Sequence, residues 1–241
     1  MRLGELTSPA FAALRPKPPL LIPIGIVEEH GPHLPLDTDT IQAVATCEEV
    51  AERIGCLVAP PLAWGNAAST KHFPGTFSVT FDALRALARD VLLECARHEI
   101  RVIALVSGHA GGGHMRALKL AAEDALALHP HLRILVLSDY ELLDDFDAKK
   151  AVGVDVPRWD GHAGALETSR MLALRPDLVQ GSAPAHRVQF PEFLVEIDAS
   201  RHFPSGVMGD PTLASAALGR AANRHIADRL TEIVMTTAKL D

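Results

Sequence analysis

A continuous apolar run over residues 20–27 ends directly in acidic residues and histidines. Such a run predicts a strand that is buried on both faces, which is typical of a parallel sheet covered by helices. Because successive strand side chains point to opposite faces, Glu28 and His30 are expected to share one face and Glu29 to face away. The first strand, predicted over about residues 19–27, is therefore expected to end in a group of ionisable side chains.

A proline-containing loop follows this strand and returns a further acid, Asp39. Ligand sites in open α/β sheets collect where the carboxyl ends of strands meet loops. Glutamate, histidine and aspartate side chains suit zinc, manganese or ferrous iron, so one interpretation is a metal site. In the alternative interpretation the stretch is a polar loop, and Asp37 or Asp39 caps a helix that begins at about Thr40.

The rest of the chain alternates short apolar runs with amphipathic stretches of helical period. This alternation predicts an α/β fold with a parallel sheet, right-handed crossovers and helices on both faces. With 241 residues and no internal repeat, we expect a single domain over residues 1–241. The further strands are predicted at about 56–59, 102–106 and 132–137, and helices at about 40–54, 81–100 and 210–238 and in stretches ending near 128 and 174.

Composition excludes several classes of partner. The formal net charge is −7, and no Lys/Arg block occurs, which speaks against a nucleic acid or an anionic membrane as the main partner. No apolar run reaches the roughly 18–20 residues of a membrane helix, and the first residues do not open a signal peptide. The three cysteines lie among apolar residues without metal spacing, so we expect buried free thiols and a cytoplasmic location.

Two later segments also place ionisable groups beside glycines. His109 follows the apolar run at 102–106 and is expected at the same sheet edge as Glu28. His162 and Glu167 precede or open a later helix, where Glu167 is either a partner of the helix dipole or a group that binds or orients a ligand. A phosphate-cradling role for the glycines around His109 is disfavoured, because the Lys and Ser/Thr of a P-loop and the spacing of a dinucleotide fingerprint are missing.

Together these segments resemble the creatininase (creatinine amidohydrolase) family. The matching pieces come in the family's order across about residues 20–175. The resemblance implies a three-layer α/β/α fold with a mostly parallel central sheet, a centre of two divalent metal ions (zinc, manganese or iron) and, for many members, a hexamer. The pieces are GIVEEHGPHLPLDTD at 25–39, HFPGT at 72–76, SGH at 107–109 and HAGALETS at 162–169, with GDPT at 209–212 fitting the later part.

The resemblance also implies roles for individual residues. Glu28 and His109 match the ligands of one metal, His30 matches a ligand of the other, and Asp39 matches the ligand that bridges them. His162 matches the family's histidine beside the substrate. Glu167 is a further candidate ligand for the second metal.

The chain departs from creatininase itself at the second metal. Creatininase carries a ligand glutamate two residues after the histidine that matches His109, and this position is Gly111 here. The second metal is therefore expected to be held by fewer protein ligands, by Glu167, or only loosely, and creatinine is expected to be a poor substrate or none. Creatininase also has a tyrosine where Ala110 stands and an acidic residue where Gly161 stands, and many relatives have an acid where Ala165 stands.

A long loop without periodicity, residues 64–76, separates two predicted elements. Loops of this length in compact domains are usually functional or disordered. Its aromatic residues favour function, so His72 and Lys71 are candidates for lining the substrate entrance.

The expected function is hydrolysis of a C–N bond, in an amide or cyclic amide of a small molecule, by a metal-activated water. His162 would pass a proton to the departing nitrogen. Alternatives within the family are a formamide hydrolase of flavin or deazaflavin synthesis, for which basic residues near the pocket (Lys71, Arg158, Arg187) would bind a phosphate, and a peptidase of mycofactocin type. A regulatory protein that binds metal or a ligand without chemistry is the non-enzymatic alternative. A homo-oligomer is expected from the family and from the apolar residues of the final helix.

Overall fold

A parallel sheet forms the centre of the protein in a computed structural model that describes residues 1–239. Within these residues the sheet has four strands in the order β2-β1-β3-β4. Leu20 pairs with Leu57 on one side and with Ile103 on the other, so β1 is central. The strands are β1 (Leu20–Ile24), β2 (Leu57–Val58), β3 (Val102–Ser107) and β4 (Arg133–Ser138).

Helices cover both faces of the sheet, as the uninterrupted apolar runs predict. Leu20, Ile22 and Ile24 pack with residues of α3 and α4 in one buried cluster. Leu21 belongs to a second cluster with residues of α2 and α7 on the opposite face. The three-layer α/β/α arrangement is therefore confirmed. The helices are α1 (Ser8–Ala13), α2 (Thr38–Ile54), α3 (Phe81–Arg97), α4 (Gly112–Leu128), α5 (Ala148–Val152), α6 (Ala165–Leu174) and α7 (Ala216–Ala238).

Two predicted boundaries are wrong in ways that matter. The first strand ends at Ile24 rather than near residue 27, because Gly25 leaves β1 and donates its N–H to Leu62 at 2.9 Å. The long final helix does not begin at Asp210. That residue caps a short 3-10 helix, Pro211–Leu213, and α7 begins at Ala216 with Ser215 as its cap.

The apolar residues of α7 are mostly used inside the chain. Ile226, Leu230 and Val234 are fully buried against the sheet, so they offer no free surface to a partner. All three cysteines are buried free thiols, as expected. Among residues 1–239, no helix is both long and apolar enough to cross a membrane.

Candidate active site

The start of α2 lies against the ends of two strands because two glycines leave room for it. A Cβ added at Gly25 would lie 2.6 Å from the backbone N of Thr40, and one added at Gly108 would lie 2.1 Å from the carbonyl oxygen of Asp39. Contacts this short are not tolerated in a close-packed interior. The absence of both side chains therefore brings Asp39 between the segments that follow β1 and β3.

A first cluster of donor atoms forms at this junction from Glu28, Asp39 and His109. His109 Nδ1 lies 2.9 Å from Glu28 Oε2 and 3.4 Å from Asp39 Oδ2. Glu28 and Asp39 are only 1% and 2% exposed. Neither of these two oxygens has a hydrogen-bond partner among residues 1–239, although buried carboxylates are normally paired. The convergence of unpaired oxygens on an imidazole nitrogen is the arrangement that a cation would complete.

A second cluster of donor atoms adjoins the first and shares Asp39. His30 Nε2 lies 3.1 Å from Asp39 Oδ1 and 3.7 Å from Glu167 Oε2. His30 is fully buried, and Glu167 lies in the first turn of α6. The structure therefore brings together all five residues that the sequence offers as metal ligands, in two groups joined by Asp39. A third group of donor atoms joins Glu28 and His30 with His162.

The carboxylates of the two clusters strongly favour positive charge on the groups beside them. Burial lowers the pKa of His109, but Glu28 and Asp39 outweigh it and raise the pKa to about 10. Burial likewise opposes the charge on His30, and the charges of Glu167 and Asp39 still raise its pKa well above the ordinary value. Burial raises the pKa of Asp39, whereas the nearby histidines His30 and His109 lower it by more. Three carboxylates in one buried site thus favour cations.

His162 lies beside both clusters. Its ring centroid is 4.4 Å from that of His30, and its Nδ1 lies 4.0 Å from Glu167 Oε2. Its other nitrogen, Nε2, lies 3.2 Å from Glu29 Oε1. Paired donor clusters with an adjacent histidine, placed at the carboxyl ends of parallel strands, are a suitable arrangement for metal-assisted hydrolysis.

Comparison with known proteins identifies the family. The family model described as "Creatininase: Creatinine amidohydrolase" matches residues 4–234. The protein belongs to the creatininase family. The match covers nearly the whole chain, and the protein is a metal-dependent hydrolase that acts on C–N bonds.

Individual relatives agree with this placement. Creatinine amidohydrolase of Pseudomonas putida is 35% identical over 170 residues, a match that spans 66% of this chain and 65% of that protein. Mycofactocin precursor peptide peptidase of Mycolicibacterium smegmatis is 35% identical over 229 residues, 90% of this chain and 83% of that protein. A solved mutant creatininase of Zn–Zn type has a TM-score of 0.85 at 30% identity and covers 97% of this chain and 98% of its own.

The structure leaves little space for a side chain at Gly111, where the chain departs from creatininase. A Cβ added at Gly111 would lie 2.4 Å from His109 Nε2, so any side chain there requires the His109 ring to move. Glu167 reaches the second cluster instead. Its Oε1 accepts a hydrogen bond from the Tyr140 hydroxyl at 2.9 Å, and its Oε2 accepts one from Ala163 N–H at 2.5 Å.

The clusters open into a cleft of about 1040 Å³. His162, Glu28 and Asp39 line its inner end, and the segment 143–158 lines much of the rest. His72 does not line this cleft. It lies on the surface, where its Nε2 is 2.9 Å from the carbonyl oxygen of Ile197.

The structure differs from the sequence expectation at Glu29 and adds further residues to the site. Glu29 was expected to face away, but it is buried beside His162, because β1 has already ended and strand alternation does not apply. Thr70, Gln42 and Tyr140 were not singled out. Thr70 Oγ1 donates to Glu28 Oε1, and the Tyr140 hydroxyl lies 2.7 Å from Gln42 Oε1. The unusual length of the loop at 64–76 was the only signal that pointed to Thr70.

Proposed function

We propose that the protein holds two divalent metal ions, one at Glu28, Asp39 and His109 and one at His30, Asp39 and Glu167. The observation that carries this assignment is the convergence on His109 Nδ1 of two buried carboxylate oxygens that accept no hydrogen bond from residues 1–239. Carboxylate and imidazole donors suit zinc, manganese or iron. Solved creatininases described as Zn–Zn and Mn forms support the same choice of metals.

The two metal ions, when bound, would lower the pKa of a water molecule and polarise the carbonyl of the substrate. The protein's own residues do the rest. Asp39 contributes one oxygen to each cluster and so fixes their separation. His162, which lines the cleft, passes a proton to the nitrogen that leaves, a contribution typically worth ~10²–10⁴-fold in rate.

The substrate that the site supports best is an amide larger than creatinine. A cleft of about 1040 Å³ has room for far more than one small ring, and small ligand sites span ~300–1,000 Å³. Ala110 and Gly111 keep one wall of the cleft almost free of side chains. The long matches to mycofactocin precursor peptide peptidases favour a peptide amide as the first class to test.

A phosphorylated formamide is the second candidate, and one observation favours it. Arg158 lines the cleft and has no ion pair or hydrogen bond with any other residue of the described part of the chain. Neither Lys71 nor Arg187 is among the lining residues. Arg158 is thus the basic residue available to an anionic group, since Lys149, which also lines the cleft, lies 3.1 Å from Asp155.

A screen tests the proposal directly. Protein reconstituted with zinc, manganese or iron is incubated with short peptides, formamides with and without a phosphate, and cyclic amides, and the released amine or formate is measured. Hydrolysis of peptides supports the first candidate. Hydrolysis that requires the phosphate, and that weakens in Arg158→Gln but not in Lys149→Gln, supports the second. No turnover with any metal would contradict the proposal.

The non-enzymatic alternative is disfavoured by the cleft. A protein that only binds metal has no need of an ionisable residue beside the metal in an open cavity. His162 lines the same cleft as four of the five donor residues, so a reacting group can meet them together. These four are Glu28, Asp39, His109 and Glu167.

We propose further that the protein is a homo-oligomer. The final helix does not supply the surface, but an exposed apolar stretch at 190–197 does. Phe193 is 99% exposed and Val195 94% exposed, and such side chains are commonly covered by a partner. Sedimentation that shows only a monomer at micromolar concentration would contradict this proposal. The cytoplasmic location stays a prediction.

A further inference from the structure

The carboxylate of Glu29 is held rigidly beside the metal ligands without belonging to either donor cluster. Its Oε1 lies 3.2 Å from His162 Nε2, and its Oε2 accepts a hydrogen bond from Gly31 N–H at 2.9 Å. The backbone N–H of Glu29 also donates to Thr76 Oγ1 at 3.0 Å. Each oxygen of the Glu29 carboxylate therefore accepts one hydrogen bond.

The segment that contains Gly206 packs closely against this carboxylate. A Cβ added at Gly206 would lie 1.9 Å from Glu29 Oε2, and Gly206 has a φ of +72°, which favours glycine. The segment around Gly206 thus closes over the carboxylate. Glu29 is 6% exposed and fills a site shaped for it.

His162 is fixed on its backbone side as well. Its carbonyl oxygen accepts a hydrogen bond from Met208 N–H at 2.8 Å. The next residue, Ala163, has a φ of +54°, a strained conformation that points its N–H at Glu167 Oε2. With Nε2 directed at Glu29, the Nδ1 atom is left on the side of Glu167, at 4.0 Å from its Oε2.

A carboxylate only accepts hydrogen bonds, so His162 Nε2 must carry the hydrogen that the two groups share. We infer that Glu29 is a positioning residue that keeps a proton on His162 Nε2 and thereby makes Nδ1 the atom that exchanges protons with the substrate. This inference rests on the proposed function for the role of His162 in the reaction. Orienting partners of site histidines fix the tautomer in the same way in many metal sites.

The proton balance is complete with water as the only co-reactant. Water adds its oxygen to the carbonyl carbon, and one of its protons goes to His162 Nδ1. When the C–N bond breaks, the electron pair stays on nitrogen, which takes the proton from Nδ1. The products are an acid and an amine, and the hydrogen on Nε2 never leaves Glu29.

The isosteric variant Glu29→Gln tests this assignment. A glutamine has one acceptor oxygen for two donors, Gly31 N–H and His162 Nε2–H, so its amide N–H turns towards Nε2 and the imidazole proton moves to Nδ1. In the zinc-loaded protein, ¹⁵N NMR of the neutral His162 ring should show hydrogen on Nε2 in the wild type and on Nδ1, at least in part, in Glu29→Gln.

Kinetics and metal content complete the experiment. We expect Glu29→Gln to lower kcat by ~10–100-fold on the best substrate of the screen, with KM changed less than about twofold and zinc content unchanged. Glu29→Ala should lower kcat at least as far. Glu48→Gln is the matched control, because Glu48 also forms an ion pair, with Arg2, outside the cleft and the two donor clusters. It should leave kcat unchanged.

The outcomes separate the two proposals. Wild-type kcat in Glu29→Gln, together with hydrogen still on Nε2, would overturn the inference, and loss of zinc would overturn it in favour of a ligand role. If the wild type hydrolyses nothing, the proposed function fails, yet the NMR tautomer still decides whether Glu29 positions His162. If Glu29→Ala does not fold, Glu29→Gln alone decides.

Discussion

The two donor clusters share Asp39 but differ in how far the protein already satisfies their carboxylates. In the first cluster, Glu28 Oε2 and Asp39 Oδ2 are buried, face His109 Nδ1 and accept no hydrogen bond from residues 1–239. In the second cluster, both oxygens of Glu167 accept hydrogen bonds, from the Tyr140 hydroxyl and from Ala163 N–H. One cluster is incomplete without a cation, whereas the other is partly complete by itself.

This difference predicts unequal affinities for the two metals. A buried carboxylate oxygen that accepts no hydrogen bond costs free energy, which a bound cation offsets. The first cluster therefore gains more from metal than the second. The second cluster also lacks the glutamate that creatininase carries where Gly111 stands, so its metal is expected to exchange more readily.

The largest effect is expected from Asp39→Ala, because it removes a donor from both clusters. Metal content should fall from two ions per chain towards zero, and activity should drop by at least ~10³-fold, since both the acidified water and the polarised carbonyl are lost. Elemental analysis and steady-state kinetics measure this. Asp37→Ala is the control: Asp37 is exposed, caps no backbone N–H and lies two residues away. Wild-type metal content in Asp39→Ala would contradict the shared role.

Creatinine should be turned over poorly even when excess metal fills the second cluster. Gly111 offers no ligand and Ala110 no aromatic contact where creatininase has both. Loss of one oriented contact commonly costs ~10²-fold or more in rate. Conversion of creatinine to creatine is measured with excess manganese or zinc. A kcat/KM of ~10⁴ M⁻¹s⁻¹ or above, within the usual enzyme range, would show that Glu167 fully compensates for Gly111.

Glu167→Gln should separate the two clusters. We expect one metal to be retained and the second to bind ~10–100-fold more weakly, because the remaining donors there are His30 and the shared Asp39. His109→Ala is the reciprocal variant and should weaken the first metal. Titration of apo-protein with zinc against a coloured chelator gives the dissociation constants of both metals. Equal loss of both metals in Glu167→Gln would contradict the assignment of Glu167 to the second cluster.

The sequence predicts the first cluster better than the second. The run ending at Glu28, the return of the chain to Asp39 and the glycines beside His109 all follow from strand-to-loop patterns, and the structure brings these residues together. The layers of the fold follow from the same patterns. The resemblance to creatininase adds Asp39 as a shared ligand, which no local pattern indicates.

The parts of the site that the sequence does not predict depend on contacts between distant segments. Tyr140 meets Glu167 across 27 residues, and Glu29 meets His162 across 133 residues, neither of which leaves a periodic signal. The start of α7 was misplaced for a different reason. Asp210 and Pro211 are a good opening for a helix, but the turn they start stops after Pro211–Leu213, and Ser215 opens the long helix instead.

The smallest effect, and the finest test of the comparison, is expected from Tyr140→Phe. The variant removes the hydroxyl that donates to Glu167 Oε1 but keeps the ring, which lies 4.9 Å from the Arg170 guanidinium. Loss of such an orienting partner should lower the affinity of the second cluster for its metal by up to about tenfold. The affinity of the first cluster should not change. Stability should fall by about 1–3 kcal/mol, because Gln42 Oε1 and Glu167 Oε1 lose the one buried hydroxyl that they share.

Thr70→Val is the matched variant for the other cluster, since Thr70 Oγ1 donates to Glu28 Oε1 in the same way. It should lower the affinity of the first cluster for its metal and leave that of the second cluster unchanged. The same zinc titration measures both variants. If each variant weakened both metals equally, the clusters would act as one site. The difference in their hydrogen bonding would then have no bearing on how either metal is held.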